Sequence, residues 1–181
     1  MNARHMRVVT TSRLTLEPQT AEHVDAMFVV LNDPAIYKYE NEPPASLDWL
    51  RTRFTKLETR CSADGHEQWL NWVIRAQTAE LIGYVQATIH ANGDASIAYV
   101  LNSAFWGRGF AREAVEGMVT ELVTHYGVRQ LVAVLKRDNL RSAHLLERLE
   151  FAPGAAEHRA AHDVEPDEVL MARTIPQPSP A

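Results

Sequence analysis

The chain reads as an α+β domain: a mixed, mostly antiparallel central sheet that feeds one parallel β-α-β unit, with helices on both faces. Over residues 68–102, three apolar stretches (QWLNWVIRA, TAELIGYVQATIHA and ASIAYVLN) are separated by turn signals at Gln77-Thr78-Ala79 and Asn92-Gly93-Asp94. That is the pattern of an antiparallel meander joined by tight connections. Ala111, Ala114, Val115, Met118, Val119, Leu122, Val123 and Tyr126 then recur at helical spacing up to Gly127, a C-terminal cap. Residues 130–135 (QLVAVL) follow, apolar on both faces, as in a strand covered on both sides in a parallel arrangement.

The other elements fall into place around these. Residues 12–18 (SRLTLEP) alternate polar and apolar, a strand ending at a proline. Thr20 is placed to cap a helix whose apolar face is Val24, Met27, Phe28 and Leu31, and Asn32-Asp33-Pro34 ends it. Residues 37–44 (YKYENEPP) read as a loop. Ser46 opens a second helix with Leu47, Leu50, Phe54 and Leu57 on one side. After QLVAVL a further helix is predicted over 139–149, and residues 167–174 (DEVLMART) supply a last strand, with Pro153-Gly154 and Pro166 as breakers between them. Strand, helix and strand from 95 to 135 form one unit with a right-handed crossover. Residues 1–175 read as a single domain and 176–181 (PQPSPA) as a flexible tail.

Composition narrows the function classes. A formal net charge of −5 argues against a nucleic-acid binder, which ordinarily presents a basic face. Cys61 is the sole cysteine, which leaves no internal disulfide and no cysteine-rich zinc site. The N-terminal stretch lacks an apolar leader, and no run reaches the ~20 apolar residues a membrane span needs, so the expected location is cytoplasmic.

Chemistry concentrates in residues 102–115, NSAFWGRGFAREAV. Gly107 and Gly109 stand at the mouth of a helix, where unpaired N–H groups and the positive end of the dipole meet an approaching anion. Glycine lets backbone come close to a bulky group, and Arg108 and Arg112 add two guanidinium groups suited to a pyrophosphate. On these residues alone, a tight turn with solvated arginines remains the alternative. Two phosphate motifs are excluded by spacing. The dinucleotide fingerprint needs a third glycine where Arg112 stands and an acidic residue ~20 positions further on, where Leu131 and its neighbours are apolar. The nucleoside-triphosphate loop needs Gly-Lys-Ser/Thr where the chain has Phe110-Ala111-Arg112.

WGRGFA closely resembles the acetyl-CoA pyrophosphate loop of the GNAT N-acetyltransferase superfamily, Gln/Arg-x-x-Gly-x-Gly/Ala. Trp106 replaces the leading residue, as in the RimJ/RimL-type branch. Asn139-Leu140-Arg141-Ser142 followed by Leu149-Glu150-Phe151 is similar to the family's second signature, Asn-x-x-Ser ahead of Gly-Phe. The resemblance spans nearly the whole chain. It implies an acetyl-CoA-dependent N-acetyltransferase that passes the acetyl group to a primary amine, on a small molecule or a protein N-terminus, by direct attack.

The resemblance also assigns residues. The pantetheine arm would run in a gap between strands, on the free backbone of Val100 and Leu101. The pyrophosphate would sit on Gly107, Arg108, Gly109, Phe110, Ala111 and Arg112, beside Trp106. Asn139, at a helix N-cap, would fix the cofactor amide or a water, and Ser142 would hold or protonate the departing thiolate. Tyr37, Tyr39, Glu40 and Glu42 would border the acceptor pocket. A homodimer is also implied.

The sequence departs from the family at Glu150, where a glycine usually precedes Phe151, so the turn must close differently. It departs again at Ser96 and Ala98, where many relatives read Glu-Ile-Gly-Tyr. The first of these removes a glutamate often proposed to guide amine deprotonation and leaves the base unassigned. It also keeps a non-catalytic acyl-CoA-binding module open as the alternative. His90 reads as structural. His158 and His162 have the i, i+4 spacing of metal ligands but lack the His-Glu-x-x-His glutamate, so no metal is expected.

Overall fold

The computed structural model describes residues 5–39, 42–155, 162 and 164–176. One eight-stranded sheet organises them: β1 (Val9–Thr10), β2 (Leu14–Pro18), β3 (Gln68–Ala76), β4 (Leu81–Ile89), β5 (Ala95–Leu101), β6 (Gln130–Lys136), β7 (Ala152–Pro153) and β8 (Glu168–Thr174), in the order β1-β2-β3-β4-β5-β6-β8-β7. All neighbours are antiparallel except β5 and β6. The helices are α1 (Val24–Leu31), α2 (Leu47–Leu57), α3 (Phe110–Glu121) and α4 (Leu140–Arg148). Among the described residues no helix is long and apolar enough to cross a membrane.

Local chemistry sets the element ends. Thr20 and His23 form a reciprocal capping box ahead of α1. The Ser46 hydroxyl accepts from Trp49 N–H at the start of α2. Helix α3 continues through a π-helical turn over Leu122–Tyr126 and stops at Gly127, which is left-handed with φ 77°. Glu150 itself takes the left-handed conformation after α4 (φ 64°), and its carboxylate pairs with Arg173 at 2.7 Å. The substituted turn thus closes through a strained residue held by an ion pair.

Two apolar clusters cover the sheet. The larger joins Leu16, Trp72, Ile74, Ile82 and Val85 to Met118 and Leu122 of α3, all fully buried, at roughly 2–3 kcal/mol per large side chain. The smaller sits on the other face, where Val24 and Met27 of α1 and Leu50 and Phe54 of α2 cover Val73.

Three expectations are corrected. Strand β6 is not covered on both faces along its length. It pairs with β5 only at Ala95↔Leu131 and Ser96↔Val132, and Val134 beyond that point is 37% exposed. Its full partner is β8, antiparallel over seven residue pairs. The meander includes β2 as well, so four consecutive strands are antiparallel. Pro153, expected only as a breaker, lies in the short edge strand β7, where a missing N–H is tolerated.

Candidate active site

The splay of β5 from β6 opens the site. Two backbone bonds fix which groups of β5 face the gap: Asn102 N–H donates to the Ile82 carbonyl, and His90 N–H to the Asp94 carbonyl, both 2.9 Å. With an unbroken register between them, antiparallel alternation turns the N–H and C=O of Val100 toward Tyr84 of β4 and those of Ile97, Tyr99 and Leu101 toward the gap. The expectation for Val100 backbone is therefore corrected: its polar groups belong to the ladder. The Leu101 carbonyl faces the gap but already accepts from Trp106 Nε1 at 2.8 Å.

Gly83 shapes this region from β4. It sits at a bulge, and a Cβ built there would lie 2.0 Å from the Val100 carbonyl oxygen. Only glycine admits that approach.

The loop before α3 has the geometry of an anion cradle. Gly107 and Gly109 are left-handed (φ 72° and 79°), and a Cβ at Gly107 would meet nothing within 4 Å. The first backbone bond of α3 runs from Glu113 N–H to the Gly109 carbonyl, so Phe110, Ala111 and Arg112 offer N–H groups with no intrahelical acceptor. Phe110 is buried, whereas Arg108 and Arg112 are exposed. The Arg108 guanidinium stacks over Phe105 and Phe110, 5.7 and 4.9 Å from the ring centroids.

Glu113 locks this loop to β2. Its carboxylate accepts from Thr11 Oγ1 (2.7 Å), Ser12 Oγ (3.0 Å), Arg13 N–H (2.7 Å) and Arg13 Nε (2.7 Å). Arg13 Nη1 in turn donates to the Arg108 carbonyl at 3.0 Å. Burial pushes the Glu113 carboxyl up, but the hydrogen bonds outweigh it and hold the group at about 2. No local pattern announces this clamp, because the partners lie about a hundred residues apart.

Helix α4 borders the gap on the other side. Asn139 is buried; its Oδ1 accepts from Ser142 N–H at 3.2 Å, which makes it the N-cap expected. Arg141 lies 3.6 Å over the Trp106 ring, and Tyr99 Oη donates to the Ser142 carbonyl at 3.3 Å. Among the described residues nothing bonds the Ser142 hydroxyl.

Two cavities meet here. The smaller, about 100 Å³, lies between Leu101, Trp106, Ala111, Asn139 and Tyr39. The larger, about 580 Å³, extends under α2 past Tyr37, Glu42, Arg53, Tyr84 and Gln86. Tyr99, Val100 and Ser142 line both.

Tyr37 Oη donates to the Leu31 carbonyl at 2.6 Å, and burial, with Asp33 nearby, raises its pKa. Glu42 is at the rim, and Glu40 lies outside the described residues. The floor was missed from the sequence. Asn71, Gln86 and Ala98 stand side by side across β3, β4 and β5, and buried Gln19 joins them. Polar Asn71 and Gln86 inside otherwise apolar strands were the available signal. His158 lies outside the described residues, among which no cluster could hold a metal ion.

Residues 13–152 match the family model described as the acetyltransferase (GNAT) domain. The uncharacterized N-acetyltransferase p20 of Bacillus licheniformis is 28% identical over 148 residues, which cover 81% of this chain and 83% of p20. The solved RimL ribosomal L7/L12 alpha-N-protein acetyltransferase, in complex with coenzyme A, superposes with a TM-score of 0.79 at 20% identity, covering 93% of this chain and 98% of that one. The microcin C7 self-immunity acetyltransferase MccE, solved with acetyl-CoA and AMP, gives 0.74 at 19% identity over 91% and 94%. With the family model matched from β2 to β7, this chain belongs to the GNAT acetyltransferase family, N-acetyltransferases whose acetyl donor is acetyl-CoA.

Proposed function

We propose that this enzyme acetylates a primary amine, on a small molecule or a protein N-terminus, by direct attack while donor and acceptor are bound together. The observation that carries the reading is the meeting of two cavities at Tyr99, Val100 and Ser142. One is narrow and leads to the glycine loop; the other is wide and lies behind the segment between α1 and α2.

The residues fit the donor. The left-handed glycines and the N–H groups of Phe110, Ala111 and Arg112 would hold the pyrophosphate, with Arg108 and Arg112 adding charge. The gap-facing backbone of Leu101 and Tyr99, rather than that of Val100, would align the pantetheine arm, and Asn139 and Trp106 would line its path. When bound, acetyl-CoA supplies an acetyl group activated as a thioester.

The chain's own groups then orient the reaction. The large cavity presents the amine, with Tyr37 and Glu42 at its border and the Asn71–Gln86 amides on its floor, while Tyr39, expected beside them, lines the smaller cavity. A C–N bond forms as the C–S bond breaks, and the Ser142 hydroxyl donates a hydrogen bond to the sulfur that leaves. The amine must be neutral to attack, which favours an α-amine with a pKa near ~8 over a lysine near ~10.4.

The test is a melting comparison with acetyl-CoA, ATP and NAD, each at about 100 times a plausible Kd, followed by CoA release with a panel of amines. Acetyl-CoA alone should raise Tm by roughly 5–10 °C, matching about 2.7 kcal/mol for a domain of this size. A shift with ATP or NAD instead removes the donor assignment. A shift with acetyl-CoA but no CoA release favours the binding-module alternative.

A further inference from the structure

Direct attack leaves one proton without a recipient, since a protonated amine must lose it before it reacts. No carboxylate projects from β5: position 96 is a serine and position 98 an alanine. Ser96 nevertheless does not stand alone. Its Oγ lies 2.8 Å from His90 Nε2, and His90 Nδ1 lies 3.3 Å from Glu67 Oε1. The other Glu67 oxygen accepts from Trp69 Nε1 at 3.0 Å, which fixes the carboxylate. The backbone bond from His90 N–H to the Asp94 carbonyl fixes the base of the imidazole.

These distances suit one protonation pattern, the one the path requires. A carboxylate accepts only, so the His90 nitrogen facing Glu67 carries the hydrogen. In the neutral ring Nε2 then has its lone pair free to accept the Ser96 hydroxyl proton. Serine, imidazole and carboxylate in that order form an activated hydroxyl with an oriented base behind it. Ser96 also projects from the same face of β5 as Ala98 and Val100, which line the large cavity. It lies about 7 Å along the strand from Ala98, two residues at ~3.3–3.4 Å each. The His90 side chain is 29% exposed, so the far end of the chain opens to solvent. The other titratable groups around the ring are His162, with ring centroids 5.7 Å apart, and Asp94 of the hairpin turn, whose carboxylate accepts from the Asn92 amide.

We propose that Ser96, His90 and Glu67 form the proton-uptake path of the acetyl transfer. The proton leaves the acceptor ammonium along a file of cavity waters to Ser96 Oγ, while the Ser96 hydroxyl proton moves to His90 Nε2. The imidazolium, 3.3 Å from the Glu67 carboxylate, discharges to solvent. Charge and protons balance: the ammonium becomes a neutral amine, and one proton reaches bulk water in each turnover. His90 and Glu67 act through Ser96 and are positioning residues. The proposal rests on the direct-attack reading above.

The test measures kcat, KM and their pH dependence for the unmodified protein, His90→Gln and Ser96→Ala, each checked for an unchanged melt. A second measurement, free of donor and acceptor, reads the ring nitrogens of His90 by NMR. Both variants should lose about 10²-fold in kcat, the usual contribution of a positioned acid or base, with KM for acetyl-CoA unchanged. The acid limb of the pH profile should vanish in His90→Gln. The NMR should show the hydrogen on Nδ1, and Ser96→Ala should move the Nε2 signal. A His90→Gln enzyme with the original kcat and pH profile overturns the path alone, as does a hydrogen found on Nε2. An unmodified protein that binds acetyl-CoA yet turns over no amine overturns the direct-attack reading, and the path with it.

Discussion

The loop over residues 102–113 and the segment over 33–45 face each other across the smaller cavity, yet they are held in different ways. On the loop side, left-handed glycines, a helix start and a four-way carboxylate clamp leave the backbone one course. Among its described residues, the facing segment is anchored at its beginning. Asp33 accepts from Ser103 N–H at 2.6 Å and Ala35 N–H at 3.0 Å, and Tyr37 reaches back to Leu31. Beyond Tyr39 the described residues 42–45 are exposed or half-exposed. In the proposed reading the donor side recognises through backbone and the acceptor side through side chains, so a change of substrate needs no change of fold.

If that contrast is sound, donor-side substitutions damage binding and stability together, while acceptor-side substitutions alter selectivity alone. The largest effect is expected for Gly109→Glu, which puts a side chain and a negative charge into a left-handed position at the cradle. Calorimetry should find at least about a hundredfold loss of acetyl-CoA affinity, with a strain cost of about 1–2 kcal/mol. Unchanged affinity in a folded variant would remove the cradle.

Glu113→Gln comes next. It should lower stability by on the order of 2–3 kcal/mol at neutral pH, or roughly 5–10 °C in Tm, because four donors lose their charged acceptor. The sign with pH follows from a folded value of about 2 against an ordinary 4.5. The stabilisation is fully present above pH 4.5 and is lost as pH falls toward 2. Melts at pH 7 and pH 3 should therefore separate wild type from variant less at the lower pH; an equal gap would deny the clamp its charge.

Trp106→Phe keeps the ring beneath Arg141 but deletes the bond to the Leu101 carbonyl. About 1 kcal/mol should go, seen as a five- to tenfold rise in KM for the donor. On the acceptor side, Tyr37→Phe should change Tm by no more than about 6 °C, since a single neutral hydrogen bond contributes roughly 0.5–1.5 kcal/mol. Its effect should be a few-fold change in KM for the amine, with donor KM constant. A donor effect of the size seen with Trp106→Phe would erase the distinction between the two sides.

The same contrast explains what could be read in the sequence. Helix periodicity, turn dipeptides and the Gly-Arg-Gly step are local signals, and they located α1 to α4, the meander and the loop at α3, with some ends off by three residues or more. Strands β1 and β7 are two residues each, too short for any period to register. The apolar run of β6 misled because Val134 borders an open gap where a neighbouring strand was expected. The Leu101 carbonyl, the Glu113 clamp and the Ser96–His90–Glu67 chain are all side-chain partnerships. Residue type indicates that such groups need partners, but not which partners the fold will bring.

Gly83 carries a consequence for inheritance. Any single-base missense change in a glycine codon installs a Cβ, and at this position the Cβ falls 2.0 Å from the Val100 carbonyl oxygen, against β5 backbone rather than a side chain that could turn away. At Gly107 a Cβ meets open space and strains only φ. Among descendants of this gene, an inconspicuous glycine in the middle of β4 should therefore be held at least as strictly as the glycines of the loop before α3.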